Sequence, residues 1–154
     1  MTMCRRINIK EIYDVQEIRG VLDQFSNSLN SLSRGNAYRK EMAQKFSVYG
    51  RVIILHDIRD KLVGFSAFYC NDTKSRQTYI SMIAVDENCK RMGYGEQLIS
   101  QIVDISKQNQ MNKIGLEVNK KNHVAINFYM KMHFSIVKEN ADSYYMELDI
   151  KENE

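Results

Sequence analysis

Apolar residues recur every three or four positions in the first part of the chain, which predicts a helix with one buried face. The residues of that face are Val15, Ile18, Leu22, Phe25, Leu29 and Leu32. A short strand is predicted before this helix, at residues 5–9. A second helix, with Met42 and Phe46 on its apolar face, should end near Gly50. The polar joint at residues 33–36 has two interpretations, a cover for a substrate cleft or a plain turn between helices.

Three extended apolar runs occupy the middle of the chain, and polar segments separate them. They lie at residues 51–56, 62–70 and 78–85. This pattern predicts an antiparallel meander. The third run contains β-branched residues at 80–85, which favours a strand covered on both faces. Because the strands arrive in a block, the pattern argues against a nucleotide-binding fold of repeated strand–helix–strand units.

The last third of the chain returns to alternating helices and strands. A helix ends near Lys107, and the alternation of residues 114–118 predicts a strand parallel to the preceding one, because a crossover helix joins them. Another helix covers residues 125–132, and residues 134–138 and 144–150 predict a terminal hairpin. The predicted class is a mixed α/β fold with the element order β-α-α-β-β-β-α-β-α-β-β.

Composition and charge narrow the classes of protein. A chain of 154 residues fits a single domain over residues 1–154. The net charge of +3 is spread along the chain without a basic stripe, so no nucleic-acid partner is expected. Three cysteines without metal-like spacing indicate neither a zinc site nor a disulfide framework, and they favour a reducing cytoplasm. No apolar window reaches the length needed to cross a bilayer, so no membrane is expected either.

Two closely spaced glycines carry the first sign of chemistry. Gly93 and Gly95 follow the third extended run and precede a helix. Glycine lets the backbone approach a ligand, and a helix N-terminus offers unpaired N–H groups and a partial positive charge. Lys90 and Arg91 stand immediately before them. The segment therefore predicts an anion-binding site.

The sequence of this segment resembles the phosphate loop of the GNAT superfamily of acyl-CoA-dependent N-acyltransferases. The family's loop has the form Arg/Gln-x-x-Gly-x-Gly/Ala, and here it reads Lys90-Arg91-Met92-Gly93-Tyr94-Gly95. A later block is similar to the family's asparagine, alanine, Phe-Tyr and Gly-Phe pattern. Its residues are Asn122, Ala125, Phe128, Tyr129, His133 and Phe134. His133 replaces a helix-terminating glycine, and we interpret it as a tolerated left-handed cap.

The resemblance implies a central mixed sheet of about six to seven strands flanked by helices. It also implies transfer of an acetyl group from acetyl-CoA, without a metal, to a primary amine of a small molecule or peptide in a ternary complex. Dimerisation is common in the family, so a homodimer is an open expectation. By the same resemblance, the coenzyme would contact Ile83, Ala84, Val85, Lys90, Arg91, Met92, Gly93, Tyr94, Gly95, Glu96, Asn119, Asn122, Ala125, Phe128 and Tyr129.

The same resemblance suggests catalytic roles. The backbone N–H near Ile83 would stabilise the thioester oxygen, and Tyr129 would assist departure of the thiolate. Tyr129 has a second interpretation, a core residue whose hydroxyl bonds a neighbour. Tyr79 and Ser81 stand where the family frequently has a carboxylate. The candidates for the base are therefore Glu117, which also has an interpretation as a structural residue, a water held by Tyr79 and Ser81, or, for an amine of low pKa, the solvent.

Two other function classes compete with an enzyme of this kind. A non-catalytic acyl-CoA-binding or sensor module is compatible with the missing carboxylate. A dinucleotide-dependent oxidoreductase is disfavoured, because the loop lacks a third glycine and a meander precedes it.

Overall fold

The computed structural model describes residues 7–151 of the chain. The described residues form seven strands: β1 (Asn8–Ile12), β2 (Arg51–His56), β3 (Leu62–Asp72), β4 (Gln77–Val85), β5 (Lys113–Asn119), β6 (Ser135–Glu139) and β7 (Ser143–Asp149). The same part of the chain forms four α-helices: α1 (Val15–Gln24), α2 (Asn36–Tyr49), α3 (Tyr94–Gln108) and α4 (His123–Lys131). The predicted class and element order are thereby confirmed.

The strands form one mixed sheet in the order β1-β2-β3-β4-β5-β7-β6. β4 and β5 are parallel, as predicted, and their ladder runs from Gln77↔Lys113 to Ile80↔Leu116. The predicted terminal hairpin of β6 and β7 is also confirmed. Its second strand lies beside β5, so the last strand in sequence sits between the two strands that precede it.

The first of two compact units comprises residues 7–68 and Met82–Ile99. Its core contains the helical residues Leu22 and Phe46 and the strand residue Phe65, all fully or almost fully buried. The rings of Phe25 and Phe65 lie 5.1 Å apart between centroids. Among residues 7–151, no helix has the length and hydropathy needed to cross a membrane.

The second unit comprises Tyr69–Ser81 and residues 100–151. Ile102, Ile114 and Met146 are fully buried in it. The buried hydroxyls of Thr78 and Ser106 lie 2.7 Å apart and satisfy one another, which removes the penalty of burying them. A single domain over residues 1–154 remains a prediction.

Two predictions about the N-terminal region were wrong in extent. The strand at residues 5–9 begins at Asn8 and continues to Ile12, and residues 5 and 6 lie outside the described part of the chain. The first helix ends at Gln24 instead of continuing to Leu32. Serine and asparagine occupy positions 26–28, and these residue types bond their own backbone in non-helical conformations. Leu32 is nevertheless fully buried, within a short 3-10 segment.

The prediction that β4 is covered on both faces was also wrong. Its side chains alternate, with Ile80, Met82 and Ala84 buried and the intervening residues half-buried. Tyr79 and Ser81 already interrupt the apolar run on the second face, so period two describes this strand better than a continuous run. One face of β4 is therefore partly accessible.

The joint between α1 and α2 is a structured turn. Arg39 donates to the Leu32 carbonyl (2.9 Å) and to the Asp23 carboxylate (2.7 Å), and Arg34 lies 4.8 Å from the centre of the Tyr38 ring. These contacts fit the interpretation as a helix-to-helix turn. A role for the joint in covering a substrate stays a prediction.

Candidate active site

The segment between β4 and α3, the predicted anion-binding loop, leads into a fifteen-residue helix. The Gly93 carbonyl accepts the first intrahelical bond, from the Gln97 amide (3.1 Å). The amides of Tyr94, Gly95 and Glu96 therefore belong to the first turn, where no intrahelical acceptor exists. Together with the helix dipole, they provide the donors that a phosphate group requires.

Left-handed backbone angles shape this loop. Gly93 has φ +80°, and Arg91 two residues earlier has φ +66°. A Cβ built on Gly93 would meet no atom within 4 Å, so the space in front of this residue is open. Lys90, Arg91 and Met92 are exposed. The conformation thus favours glycine at position 93, and two cationic residues stand just before the first helical turn.

Asp86 fixes the beginning of the loop. Its amide donates to the Val63 carbonyl of β3 (2.8 Å), and its carboxylate accepts from the Asn88 amide (2.8 Å). Lys61 lies 3.6 Å from the same carboxylate. The Cys89 amide donates to the Asp86 carbonyl (2.9 Å) and closes a short 3-10 turn. The loop thereby leaves the sheet from a defined anchor.

Three of the predicted coenzyme contacts lie at the end of β4. Ile83 and Val85 belong to its half-buried face, and Ala84 belongs to the buried one. The ladder of β4 with β5 has its last pair at Ile80. Residues 81–85 therefore extend β4 beyond that ladder.

In the second unit, the turn from β5 into α4 uses the polar atoms of two predicted contacts. The Asn119 side chain accepts from the Lys121 amide (2.9 Å), and the Asn122 side chain accepts from the Ala125 amide (3.2 Å) as the N-cap of α4. The Asn122 oxygen accepts this capping bond, and its NH₂ group can donate to a ligand. Asn122 thus has a structural role besides any role in binding.

Tyr129 lies on the buried face of α4 and is 8 % exposed. The Phe128 and Phe134 rings lie 5.5 and 5.6 Å from its ring centre. Burial raises the pKa of Tyr129 to about 12. α4 ends in the predicted way, because His133 adopts φ +75° and the Phe134 amide donates to the Tyr129 carbonyl (2.9 Å).

The half-buried face of the second unit's sheet brings together groups that the sequence did not connect. Tyr79 pairs with Gly115, which also pairs with Glu147, and Glu117 pairs with Tyr145. Burial, and after it the Glu117 carboxylate, raise the pKa of Tyr79. Burial and neighbouring carboxylates, first Glu147, raise the pKa of Tyr145 to about 12. Two phenols and two carboxylates thus share one surface.

Gly115 makes this arrangement possible. A Cβ on Gly115 would lie 2.0 Å from the Tyr145 hydroxyl and 2.4 Å from the Gln77 amide nitrogen. The absence of a side chain lets both polar groups cross the backbone of β5. Ser81 follows on the same half-buried face of β4. Sequence reasoning missed Tyr145, Glu147 and Gln77, because their proximity depends on the position of β7 beside β5.

Comparison with known proteins identifies the family of the chain. The model of the acetyltransferase (GNAT) family matches residues 21–134, well over half of the chain. The chain belongs to this family. Comparison with curated proteins gave no significant match.

Solved GNAT structures share the fold over nearly the whole chain. A GNAT-family acetyltransferase from Staphylococcus aureus Mu50 has a TM-score of 0.77 and 16% identity, covering 95% of this chain and 100% of that one. The PaiA N-acetyltransferase from Thermoplasma acidophilum, in complex with coenzyme A, has a TM-score of 0.74 and 14% identity, and the match covers 94% of this chain and 99% of that one. The ribosomal-protein-S18-alanine N-acetyltransferase from Escherichia coli has a TM-score of 0.73 and 18% identity, and the match covers 97% of each chain. At these identities the likeness concerns the fold alone.

The GNAT chain has no recognisable metal site in the part that the structure describes, since no three His, Cys, Asp or Glu residues of 7–151 cluster in a suitable way.

Proposed function

We propose that this GNAT protein transfers an acetyl group from acetyl-CoA to a primary amine of a small molecule or peptide, directly and within a ternary complex. The observation that carries the proposal is the open loop at the start of α3, with Gly93 at φ +80° and three amides in the first helical turn. Family membership and the coenzyme A complex of the Thermoplasma neighbour support it.

The loop residues fit a pyrophosphate group. The amides of Tyr94 and Gly95 in the first helical turn would supply donors, and the left-handed angle of Gly93 would hold the loop in the shape that presents them. Lys90 and Arg91 add positive charge beside those donors. Lysine at position 90 provides a compact point charge rather than a planar fork, which leaves the amide cradle as the main source of affinity.

When bound, acetyl-CoA supplies a thioester whose acyl carbon an unprotonated amine can attack. The end of β4 would hold the pantetheine through main-chain bonds, as an added strand does. The N–H of Ile83 would donate to the thioester oxygen. A donor at this position typically contributes about 10²–10³ in rate.

Tyr129 would serve the departing thiolate as a hydrogen-bond donor rather than as a proton donor. A phenol with a pKa of about 12 is a much weaker acid than a thiol with a pKa near 8.5, so full proton transfer is uphill by roughly 5 kcal/mol. A hydrogen bond from the neutral phenol stabilises the developing negative charge without that cost.

Proton removal from the acceptor amine would fall to Glu117 or to a water. The raised pKa of Tyr79 keeps its phenol protonated at neutral pH, so Tyr79 can orient a water but is a poor base. Glu117 is exposed and paired with Tyr145 across the ladder. Ser81 lies on the same half-buried face as Tyr79 and completes the set that could hold such a water.

Thermal unfolding with added ligands tests the first part of the proposal. Coenzyme A and acetyl-CoA should raise the melting temperature and NAD should not, because only a ligand that binds the folded state stabilises it. Thiol release from acetyl-CoA is then measured across amino acids, polyamines, amino sugars, aminoglycosides and peptides. Stabilisation by NAD alone would refute coenzyme binding, and coenzyme binding without turnover on any amine would favour the sensor module.

A further inference from the structure

A fully buried serine in the first unit bonds the backbone of the predicted catalytic strand. Ser66 of β3 is 0 % exposed, and its hydroxyl donates to the Met82 carbonyl of β4 (2.8 Å). Its neighbours along β3, Phe65 and Ala67, are equally buried and apolar. A hydroxyl in such surroundings is costly unless it is hydrogen-bonded, and an apolar residue of similar size would fill the space without that requirement.

The carbonyl that Ser66 contacts belongs to the same peptide unit as the N–H of Ile83. Peptide bonds in the described chain are trans, so this carbonyl and this N–H point in opposite directions. The carbonyl points towards β3, and the Ile83 N–H therefore points away from β3. Ile83 also lies three residues beyond the last pair of the β4–β5 ladder, at Ile80.

We propose that Ser66 is a positioning residue for acetyl transfer: its hydroxyl fixes the Met82–Ile83 peptide plane and strengthens the Ile83 N–H as a donor to the thioester oxygen. The inference rests on the proposed function, in which that N–H contacts the substrate. A hydrogen bond accepted by the carbonyl polarises the whole peptide group, so the N–H at its other end becomes a stronger donor. Ser66 acts through the backbone and touches no substrate itself.

The expected magnitude follows from two general quantities. An oxyanion donor contributes about 10²–10³ in kcat, and cooperative strengthening amounts to roughly 10–30% per hydrogen bond. If the logarithm of the donor's rate contribution falls by this fraction, Ser66→Ala should lower kcat by roughly 1.5- to 8-fold. The KM for acetyl-CoA should stay unchanged, because loop and pantetheine contacts are untouched.

Ser106→Ala is the matched control. Ser106 is also 0 % exposed and its hydroxyl also makes a buried bond, but to the side chain of Thr78. Both variants lose one oxygen and one buried hydrogen bond. A general loss of stability would therefore affect both, whereas only Ser66→Ala should lower kcat.

A second readout needs neither ligand nor turnover. In the ¹⁵N-labelled protein without coenzyme, Ser66→Ala should move the Ile83 amide proton resonance upfield, as expected for a less polarised N–H, and Ser106→Ala should not. Ser66→Cys, with a similar shape and a weaker donor, should give a smaller change of the same sign. It serves in place of Ser66→Ala should the latter fail to fold.

The outcomes separate the two proposals. Wild-type levels of kcat and an unmoved Ile83 resonance in the Ser66 variants would overturn the role of Ser66 while leaving the acetyltransferase intact. A wild-type protein without coenzyme binding or turnover would overturn the proposed function, and the Ile83 resonance would still report whether Ser66 polarises that peptide.

Discussion

Replacing Gly93 with alanine should weaken coenzyme A binding even though it removes no atom that could contact the ligand. Gly93 has φ +80°, in the left-handed region that residues with a Cβ rarely adopt. A Cβ at this position meets no protein atom within 4 Å, so crowding against the rest of the chain adds nothing to the effect. The perturbation is confined to backbone strain.

The left-handed conformation costs a non-glycine residue roughly 1–2 kcal/mol. If the free loop keeps its shape in the variant, this cost lowers the free energy of unfolding. If the free loop relaxes, binding must restore the left-handed conformation, and the same free energy is lost from binding. The dissociation constant for coenzyme A then rises by about 5- to 30-fold. The losses in unfolding free energy and in binding free energy should together reach about 1–2 kcal/mol.

Isothermal titration calorimetry with coenzyme A and urea unfolding without it measure the two quantities. Gly20→Ala is the matched control, because Gly20 lies within α1 and its added Cβ also meets no atom within 4 Å. This control should gain about 0.5–1 kcal/mol of stability and keep its coenzyme affinity. If Gly93→Ala matches the wild type in both measurements, the left-handed loop is not what binds the coenzyme.

Two further variants test the second unit. Tyr129→Phe should lower kcat by about tenfold or more, because it removes a hydrogen bond to a charged group that is worth about 1.5–3 kcal/mol. The factor should be constant from pH 7 to 10, because the phenol stays neutral over that range. Unchanged turnover would exclude this role for Tyr129. The raised pKa of Tyr129 also makes the free energy of unfolding depend on pH. Its contribution of up to about 2–3 kcal/mol is fully present below pH 10 and is lost as the pH rises towards 12. Urea unfolding should show that Tyr129→Phe reduces this decline. Gly115→Ala should cost about 1–3 kcal/mol of stability because its Cβ would lie 2.0 Å from the Tyr145 hydroxyl. The cost should shrink in a Tyr145→Ala background, and an equal cost in both backgrounds contradicts the proposed clash.

The loop and helix of the candidate site could be predicted from the sequence, because they depend on residues that are close together along the chain. Glycine spacing and the apolar stripe of the following helix placed the loop before Tyr94. The left-handed cap at His133 followed from the same kind of local pattern. By contrast, the apolar period continues to Leu32 although α1 ends at Gln24, because periodicity does not register the serine and asparagine residues that compete for the backbone.

The cluster around Glu117 could not be predicted from the sequence, because it depends on which strands are neighbours in the sheet. Alternation placed Glu117 on one face of β5, and nothing in that pattern specifies which strand lies beside it. Tyr145 and Glu147 join the cluster because β7, and not β6, is the neighbour of β5. Ser66 illustrates the same point, because its importance depends on the register of β3 against β4 and not on its own sequence neighbours.

The position of β7 also sets the order in which the sheet can be completed during synthesis. β5 and β6 are made before the strand that lies between them, and about thirty residues separate Asn119 from Asp149. At 5–20 residues per second, the edge of β5 waits roughly 2–6 s for its partner. Unpaired strand edges are templates for pairing with other chains. The edge of β5 is therefore exposed to mispairing for a brief period of synthesis, which ends when β7 pairs with it.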